Sequence, residues 1–220
     1  MTVLKTLGKF LISVGIGVLL FVAWTLWGTG LSTSRAQADL ESEFGRLQEI
    51  DARRLTRDGV QSVRVDDSFK PGPGEGVFRM VIPEIDVREM VVEGVDTENL
   101  RKGPGHYPDC REGFERPLCT DQEEVWPGER GRVIISGHRT TYGAPFYGLD
   151  QLGQGDDIRL ETKWGDFTYE VTGTDIVLPN ARDIATPVSD RPELVLTTCN
   201  PRFSAAERLV VFAELAEASL

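Results

Sequence analysis

The sequence has few histidines and cysteines and fewer basic than acidic residues. Its 220 residues include 2 His, 3 Cys and 24 Lys plus Arg against 35 Asp plus Glu, which gives a formal net charge of −11. A surface that binds nucleic acid is therefore not expected, because the phosphate backbone requires a basic patch. Neither the number nor the spacing of the cysteines fits a zinc ribbon or zinc finger.

Calcium-binding loops and internal repeats are also absent from the sequence. The acidic residues do not form an Asp-x-Asp-x-Asp-Gly pattern, so we expect no obligatory metal and no organic cofactor. What is present is a hydrophobic fraction of 40% with 23 Gly and 12 Pro. This composition is typical of a turn-rich, folded protein with one globular domain.

Charged residues are missing from a long stretch near the N-terminus. No charge occurs between Lys9 and Arg35, and residues 10–27 are almost entirely apolar. Such a length can cross a bilayer, so we predict a tail at residues 1–9 and a transmembrane anchor at residues 10–30. A cleaved signal peptide is the alternative, with a small-residue site at 36–38. The flanking basic residues do not decide the orientation.

The segment after the span has two parts. Leu40, Phe44, Leu47 and Ile50 recur at the spacing of an amphipathic helix. The polar stretch from Thr56 onward ends in PGPGEG at 71–76, a composition that favours extended or flexible backbone. We therefore predict a juxtamembrane helix and linker over residues 31–76, followed by one folded domain over residues 77–220.

Short apolar or alternating segments separated by turns dominate the folded domain, which predicts strands. They lie at 77–82, 87–92, 132–135, 158–162, 167–171, 176–178, 194–198 and 209–212. The sequence Trp-Gly-Asp at 164–166 favours a hairpin. Only residues 97–101 and 145–152 indicate short helical turns, so a mostly antiparallel β-barrel is predicted and a doubly wound α/β domain is disfavoured.

Two of the three cysteines lie close together in an insert at residues 109–130. If Cys110 and Cys119 pair, the closed loop adds about 2–3 kcal/mol in the chain-entropy model and indicates an oxidising compartment. Two unrelated thiols in a surface loop are the alternative. The insert lies between a Gly-rich turn and the strand that precedes His138, so we expect it to form a lid or rim over the site.

Two apolar strands end in side chains that can do chemistry, His138 and Cys199. A cysteine acts as a nucleophile when it is a thiolate, and a neighbouring imidazolium stabilises that thiolate. Residues at the ends of two strands can meet at the rim of a barrel. On this pattern alone, a buried structural cysteine and a structural histidine remain possible.

Four ordered motifs resemble the sortase family, and particularly its class E. They are GPGHYP at 103–108, SGHRTTYGAPF at 136–146, LTTC at 196–199 and SAAERLVV at 204–211. The resemblance runs from about residue 77 to the C-terminus. It implies an eight-stranded sortase-type β-barrel with short helices, and a membrane-anchored cysteine transpeptidase on the outer face of a Gram-positive cell.

By this resemblance, Cys199 is the nucleophile, His138 its acid–base partner and Arg208 the third catalytic group. Arg202 is the rival arginine, but its neighbour Pro201 suggests a loop position. Strand alternation places Arg208 on the same face as apolar side chains two and four residues further on, and a charge on an apolar face needs a reason.

Three further residues are candidates for binding or positioning substrate. His106 lies in the GPGHYP turn and is either structural or substrate-positioning. Thr198 precedes the cysteine and positions substrate through its hydroxyl or backbone, or is an ordinary strand residue. Tyr142 stands where the tyrosine of class E sortases is associated with a preference for Leu-Ala-x-Thr-Gly over Leu-Pro-x-Thr-Gly sorting signals.

The resemblance implies secreted proteins with a C-terminal sorting signal as substrates and the amine of a cell-wall precursor as acceptor. It also implies a single-pass membrane protein whose catalytic domain is extracellular. A pilin-polymerising sortase with a lysine acceptor and a non-catalytic anchored binding barrel are the alternatives. A papain-like protease is disfavoured, because its cysteine precedes its histidine, whereas His138 precedes Cys199 here.

Overall fold

The computed structural model describes residues 2–46, 52–57, 59–66, 68–110, 119–120, 123–181 and 183–220. A long N-terminal helix opens the chain as α1 (Thr2–Ala23), passes through a π-helical turn (Trp24–Gly28) and continues as α2 (Thr29–Phe44). Its apolar part has a mean hydropathy of 2.2 and is unburied. Among the described residues this is the one helix long and apolar enough to cross a membrane.

The rest of the chain is mostly β-structure. Its strands are β1 (Ala52–Arg57), β2 (Val60–Val65), β3 (Gly76–Ile82), β4 (Val87–Glu93), β5 (Gly105–His106), β6 (Gly131–Ser136), β7 (Asp157–Thr162), β8 (Gly165–Val177), β9 (Pro192–Asn200) and β10 (Glu207–Ser219). One short α-helix, α3 (Thr97–Leu100), and 3₁₀ turns at Pro83–Ile85, Leu149–Gln151 and Asp183–Ala185 connect them.

Eight of these strands close into a barrel in the order β10-β8-β7-β3-β4-β5-β6-β9. The predicted β-barrel with short helices is confirmed. Most pairs are antiparallel, but β4 with β5 and β6 with β9 are parallel. The predicted strands at 167–171 and 176–178 are one continuous strand, β8, because β10 pairs with its whole length across register shifts.

The barrel interior is filled by alternate residues of its strands, as expected when one face of each strand is buried. On β9, Leu194 and Leu196 belong to the interior cluster, whereas Val195 belongs to a separate cluster on the outer face. Aromatic residues such as Phe78 and Tyr169 are fully buried inside. This alternation determines which side chains of β9 and β10 face outward at the candidate site.

The predicted linker is wrong for residues 52–65, which form the β1–β2 hairpin. Val63 and Val65 are buried in the barrel core, and the amide of Val63 donates to the carbonyl of Gly128 at 2.9 Å. Only Val63 and Val65 show the apolar alternation of a strand. The residues around them are polar, so the sequence did not indicate a strand here. The following Pro-Gly segment is also attached, because the amide of Gly74 donates to the carbonyl of Glu93 at 2.7 Å.

Helix α2 packs against the barrel, as an amphipathic juxtamembrane helix would. Leu40 and Phe44 form a buried cluster with Met90 and Val92 of β4. The predicted boundary between anchor and juxtamembrane helix at residues 30 and 31 falls within a continuous helix. The predicted helical positions Leu47 and Ile50 lie outside the described residues.

The insert does not cover the candidate site in the part that the structure describes. Residues 123–130 precede β6 and lie at the end of the barrel where β6 and β9 begin, whereas His138 and Cys199 lie where these strands end. Trp126 of this segment is buried in the core. Residues 123–130 therefore form no lid over the site, and residues 111–118 and 121–122 lie outside the description.

Cys110 and Cys119 form a disulfide with a Cα–Cα distance of 5.0 Å. Backbone hydrogen bonds close the base of the same loop, because the amide of Cys110 donates to the carbonyl of Thr120 at 3.1 Å. Cys199 is the free cysteine among the described residues.

A buried ion pair holds the segment between β8 and β9. Arg132 of β6 donates to Glu193 of β9 through Nε at 2.9 Å, and to the carbonyl of Ile184 through Nη1 at 2.9 Å. The Glu193 carboxylate also accepts from the amides of Val188 and Ser189. One charge pair therefore fixes residues 184–189 against the outer face of the barrel.

Replacing Arg132 with Met is expected to lower the free energy of unfolding by about 3–5 kcal/mol, because Glu193 would keep a buried carboxylate without its cation. Denaturant unfolding of the detergent-solubilised chain, followed by tryptophan fluorescence, measures this change. Arg159→Met is the control, since the Arg159 side chain is exposed and Glu161 keeps its pair with Arg79, and it should change stability by less than about 0.5 kcal/mol. Equal losses in both variants would contradict the assignment.

Candidate active site

Strand register brings the three predicted catalytic residues to one end of the barrel. Arg208 of β10 is paired directly with Cys199 of β9. Strand β6 runs parallel to β9 with Ser136 opposite Thr197, and the amide of Gly137 continues the ladder by donating to the carbonyl of Thr197 at 3.1 Å. His138 follows at the level of Cys199.

Cys199 lies at the end of an apolar strip on the outer face of the barrel. The floor of this strip is a buried cluster of one residue from each of three adjacent strands, Ile134, Val195 and Val210. Its edges are half-buried side chains of neighbouring segments, namely Tyr107, Val177, Ile184, Ala185 and Phe212. Cys199 follows Val195 by four residues on β9 and therefore shares its face. These neighbouring side chains cover the floor, since Val195 and Val210 are fully buried, so the cluster packs the segment between β8 and β9 onto the barrel beside the thiol.

The imidazole of His138 is part of a stack with an aromatic ring and a guanidinium group. The ring centroids of His138 and Tyr142 are 5.0 Å apart, and the Arg101 guanidinium lies 5.5 Å from the Tyr142 ring centroid. Burial lowers the pKa of His138, and the positive charge of Arg101 lowers it further. At neutral pH the resting imidazole is therefore largely neutral.

The Nε2 atom of His138 is buried and has no hydrogen-bond partner in the part of the chain that the structure describes. Buried polar atoms are nearly always paired, so an orphaned imidazole nitrogen needs an explanation. The unused hydrogen-bonding capacity of this nitrogen is the property that a general acid or base needs.

Of the two arginine candidates, only Arg208 faces the cysteine. Its Nη1 donates to the carbonyls of Ala205 at 3.1 Å and Glu207 at 2.9 Å, which fixes the guanidinium at the start of β10. Arg202 turns away, because its Nη2 donates to Asp150 at 2.7 Å and its guanidinium lies over the Tyr147 ring. Strand pairing thus brings Arg208, and not Arg202, next to Cys199.

The Arg208 cation affects the pKa of Tyr107, whose phenol lies at the edge of the apolar strip. Burial raises the pKa of Tyr107, while a hydrogen bond with Ser136 and the nearby Arg208 cation oppose that rise. Ser136 is the last residue of β6 and lies two residues before His138. Arg208 therefore faces the same outer surface as the histidine strand.

Arg139 is a site residue that the sequence analysis missed. It is 4% exposed, and its Nη1 donates to the carbonyl of Cys199 at 3.2 Å and to Oδ1 of Asn200 at 2.6 Å. Its Nη2 pairs with Asp150 at 3.1 Å. Arg139 therefore anchors the backbone at the cysteine. Its position directly after His138 was the available signal, but nothing in the sequence indicated that it is buried.

Two candidate substrate contacts are corrected by burial. Thr198 is 2% exposed and its hydroxyl donates to the carbonyl of Gly137 at 2.7 Å. This bond joins the cysteine strand to the histidine segment, so the hydroxyl is not directed to a substrate. His106 is 1% exposed and lies in the barrel interior beside Trp126. It is structural and cannot touch a bound peptide.

His106 forms a buried charge cluster with Glu93 and Glu124, whose potential ligand atoms lie within 4.8 Å of one another. Its Nδ1 is 2.8 Å from the Glu93 carboxylate and its Nε2 is 3.2 Å from the carbonyl of Val125. Burial lowers the pKa of His106, but the Glu93 and Glu124 carboxylates and the hydrogen bond to Val125 together outweigh it, and the pKa is raised. Two acceptors fit an imidazolium, which has no lone pair for a metal.

Comparison with known proteins agrees with this geometry. The sortase domain family matches residues 80–216. Sortase D of Bacillus subtilis is 30% identical over 90% of this chain and 89% of its own length. Sortase SrtE1 of Streptomyces coelicolor is 29% identical over 97% of this chain and 57% of its own length. The solved sortase E1 from Streptomyces coelicolor, which holds a tripeptide in its active site, is 26% identical over 68% of this chain and 93% of that one, with a TM-score of 0.57.

A barrel that places a cysteine, a histidine and an arginine at one rim defines a cysteine enzyme of the sortase type, and the chain belongs to the sortase family. Sortases are cysteine transpeptidases, and this chain is an enzyme of that class. The class E resemblance is supported by the Streptomyces relatives.

Replacing Arg101 with Gln is expected to raise the pKa of His138, because a cation that opposes imidazole protonation is removed. An NMR titration of the His138 ring protons in the full chain in detergent micelles measures the shift. Arg159→Gln is the matched control on the far strand β7 and should leave the titration unchanged. A His138 titration that is the same in both variants would contradict the electrostatic role of Arg101.

Proposed function

We propose that this sortase cleaves a C-terminal sorting signal between Thr and Gly and transfers the protein to the amine of a cell-wall precursor. The observation that carries the proposal is the register that places Cys199, His138 and Arg208 together at the end of the outer apolar strip. Cys199 is the nucleophile, His138 the acid and base, and Arg208 the group that stabilises negative charge.

In the first half-reaction neutral His138 takes the proton of the Cys199 thiol, and the resulting thiolate attacks the Thr carbonyl carbon of the sorting signal. Arg208 donates N–H groups to the oxyanion or to a neighbouring substrate carbonyl. The carbon–nitrogen bond to Gly then breaks while the His138 imidazolium gives its proton to the departing amine. A thioester between the Thr carbonyl and Cys199 Sγ remains, with neutral His138 beside it.

In the second half-reaction an amine of the cell-wall precursor attacks the thioester carbonyl. Neutral His138 takes the proton that the amine loses, and the carbon–sulfur bond breaks to return the Cys199 thiolate. Return of the proton from His138 to Cys199 Sγ then restores the resting state. Water can replace the amine as a slower acceptor, which gives hydrolysis.

The N-terminal helix supports membrane anchoring with the barrel outside the cell. Its apolar face is unburied, and Trp24 is exposed near the end of the span, where aromatic residues favour an interface. The Cys110–Cys119 disulfide is typical of an oxidising compartment. Cleavage of a signal peptide at 36–38 would cut α2 at Gln37, which is hydrogen-bonded to the barrel.

The pilin-polymerising alternative has less support from the described residues. A lid would favour it, but residues 123–130 lie at the other end of the barrel. A non-catalytic binding barrel would leave the thiol inert, whereas Cys199 is half-buried at the rim beside an unpartnered imidazole nitrogen.

The full chain in detergent micelles, given a Leu-Ala-x-Thr-Gly peptide and an amine acceptor, is expected to release the C-terminal Gly fragment and form the Thr–amine product. Mass spectrometry reads both products. Cys199→Ala should abolish them because no thioester can form, and it should also remove labelling by an alkylating reagent. Labelling of the wild-type thiol without any acyl-enzyme or product would refute the proposed signal. A thiol that resists labelling would indicate the binding barrel.

A fragment for this assay should begin before residue 52. A chain that starts near residue 56 would cut β1 and leave β2, which carries the buried Val63 and Val65, without its partner strand. The full chain avoids this damage.

Tyr142→Ala is expected to reduce the preference for Leu-Ala-x-Thr-Gly over Leu-Pro-x-Thr-Gly peptides, because the ring beside His138 forms part of the wall at the scissile bond. The ratio of kcat/KM for the two peptides measures the preference. Tyr147→Ala is the control, since that ring is exposed and packs on Arg202. A ratio that changes equally in both variants, or in neither, argues against this role for Tyr142.

A further inference from the structure

We propose that helix α2 positions the histidine segment, so that the membrane-proximal helix belongs to the catalytic unit. Thr29 and Thr33 are the positioning residues, and they act through Tyr142 and Arg101 on His138. The inference rests on the catalytic role proposed for His138.

The first contact joins α2 to the segment that follows the histidine. The hydroxyl of Thr29 accepts a hydrogen bond from the backbone amide of Tyr142 at 3.1 Å. Tyr142 and Ala144 have φ values of 51° and 47°, and Gly143 between them has a φ of 76°. Non-glycine residues in this left-handed region are strained and persist only where their surroundings hold them. Thr29 supplies one such restraint.

Thr33 packs closely on the same segment. A Cβ at Gly143 would lie 3.3 Å from Cγ2 of Thr33, so helix and backbone are in close contact there. Thr33 is 3% exposed although it is polar, and its hydroxyl donates to the carbonyl of Arg101 at 2.9 Å. Thr33 therefore touches both the histidine segment and the segment that carries the guanidinium.

Gln37 completes the attachment one helical turn later. Its Nε2 donates to the carbonyls of Lys102 at 2.8 Å and Met90 at 3.0 Å, and its Oε1 accepts from the amide of Met90 at 2.6 Å. The backbone at Arg101 and Lys102 is therefore tied to α2 and to β4 together. Both partners of the His138 stack, the Tyr142 ring and the Arg101 guanidinium, are held by one helix.

The spacing shows that a single face of α2 does this. Thr29, Thr33 and Gln37 are four residues apart and lie above one another on a helix, and Leu40 and Phe44 continue the same face into the barrel. The hydroxyls of Ser32 and Ser34, by contrast, bond only to carbonyls of the preceding helical turn. Only the face that carries Thr29, Thr33 and Gln37 therefore bonds to the barrel, and the adjacent serines do not.

This face is directly continuous with the apolar helix. Thr29 follows the π-helical turn that ends at Gly28, and that turn follows α1 without a break. At 1.5 Å of rise per residue, Thr29 and Thr33 lie within about 10 Å along the axis from the turn. The contact face therefore lies next to the end of the proposed span.

The titration of His138 reports on this arrangement. The titratable and charged groups around it come from four segments: Tyr142 and Arg139 from its own segment, Arg101 from the turn after α3, Cys199 from β9 and Arg208 from β10. Thr29 and Thr33 carry no charge. A changed titration in their variants would therefore come from displaced neighbours and not from a removed charge.

The test uses the full chain in lipid nanodiscs with the sorting-signal peptide and amine acceptor. The double variant Thr29→Val, Thr33→Val keeps the shape of both side chains and removes both oxygens. We expect kcat to fall by about tenfold with KM little changed, because displacement of a catalytic group by a fraction of an ångström slows chemistry more than binding. The inflection that His138 gives to the pH profile should move to higher pH as Arg101 loosens.

Two controls separate positioning from general damage. Thr29→Ser keeps the oxygen that accepts from the Tyr142 amide and leaves the Thr33 methyl contact with Gly143 intact, so it should retain wild-type kcat and the wild-type pH profile. Ser32→Ala, Ser34→Ala alters the same helix without touching the barrel contacts and should behave as wild type. Thermal unfolding of all variants checks that the barrel stays folded.

Each outcome decides the inference. A double Val variant with wild-type kcat and pH profile overturns it, and so does a Thr29→Ser variant that loses activity as the double Val variant does. If the wild-type chain itself forms no acyl-enzyme in the same assay, the proposed function fails and the positioning role fails with it. If the wild-type chain is active and the Val variant has the same kcat and pH profile, the positioning role of α2 is refuted and the proposed function stands.

Discussion

The site depends on the position of β9 between β6 and β10. Parallel hydrogen bonds to β6 and antiparallel hydrogen bonds to β10 fix where β9 ends relative to both neighbours. A slip of one residue would turn Cys199 into the barrel and Thr198 out of it, because side chains alternate between the two faces. The backbone register therefore brings the thiol, the imidazole and the guanidinium close together.

Buried polar contacts strengthen that register at both ends of β9. At the site, Thr198 bonds to Gly137, and Arg139 bonds to the backbone of Cys199. At the other end, Glu193 is paired with Arg132 and holds the segment above the apolar strip. Each of these groups would be costly to leave unpaired, so the side chains specify one arrangement of strands and loops.

Local patterns allowed the strands and the reactive residues to be predicted, and they failed where the signal was short or non-local. Alternating segments revealed the barrel strands, while the two-residue alternation at Val63 and Val65 was too short to distinguish a hairpin from a linker. The burial of His106 could not be predicted from its local sequence, because its partners Glu93 and Trp126 lie 13 and 20 residues away. Burial of that kind is decided by packing and not by neighbours in the chain.

The sequence by itself determined the apolar N-terminal span, the β-rich domain and the family motifs that contain His138, Cys199 and Arg208, because these follow from residue type and spacing. Only the tertiary structure decided that Arg208 and not Arg202 faces the cysteine, that Arg139 anchors its backbone, and that α2 contacts the histidine segment. These are relations between segments up to 113 residues apart, as for Thr29 and Tyr142. Hydrogen-bond geometry and burial determine such contacts, and neither can be predicted from the neighbouring residues in the chain.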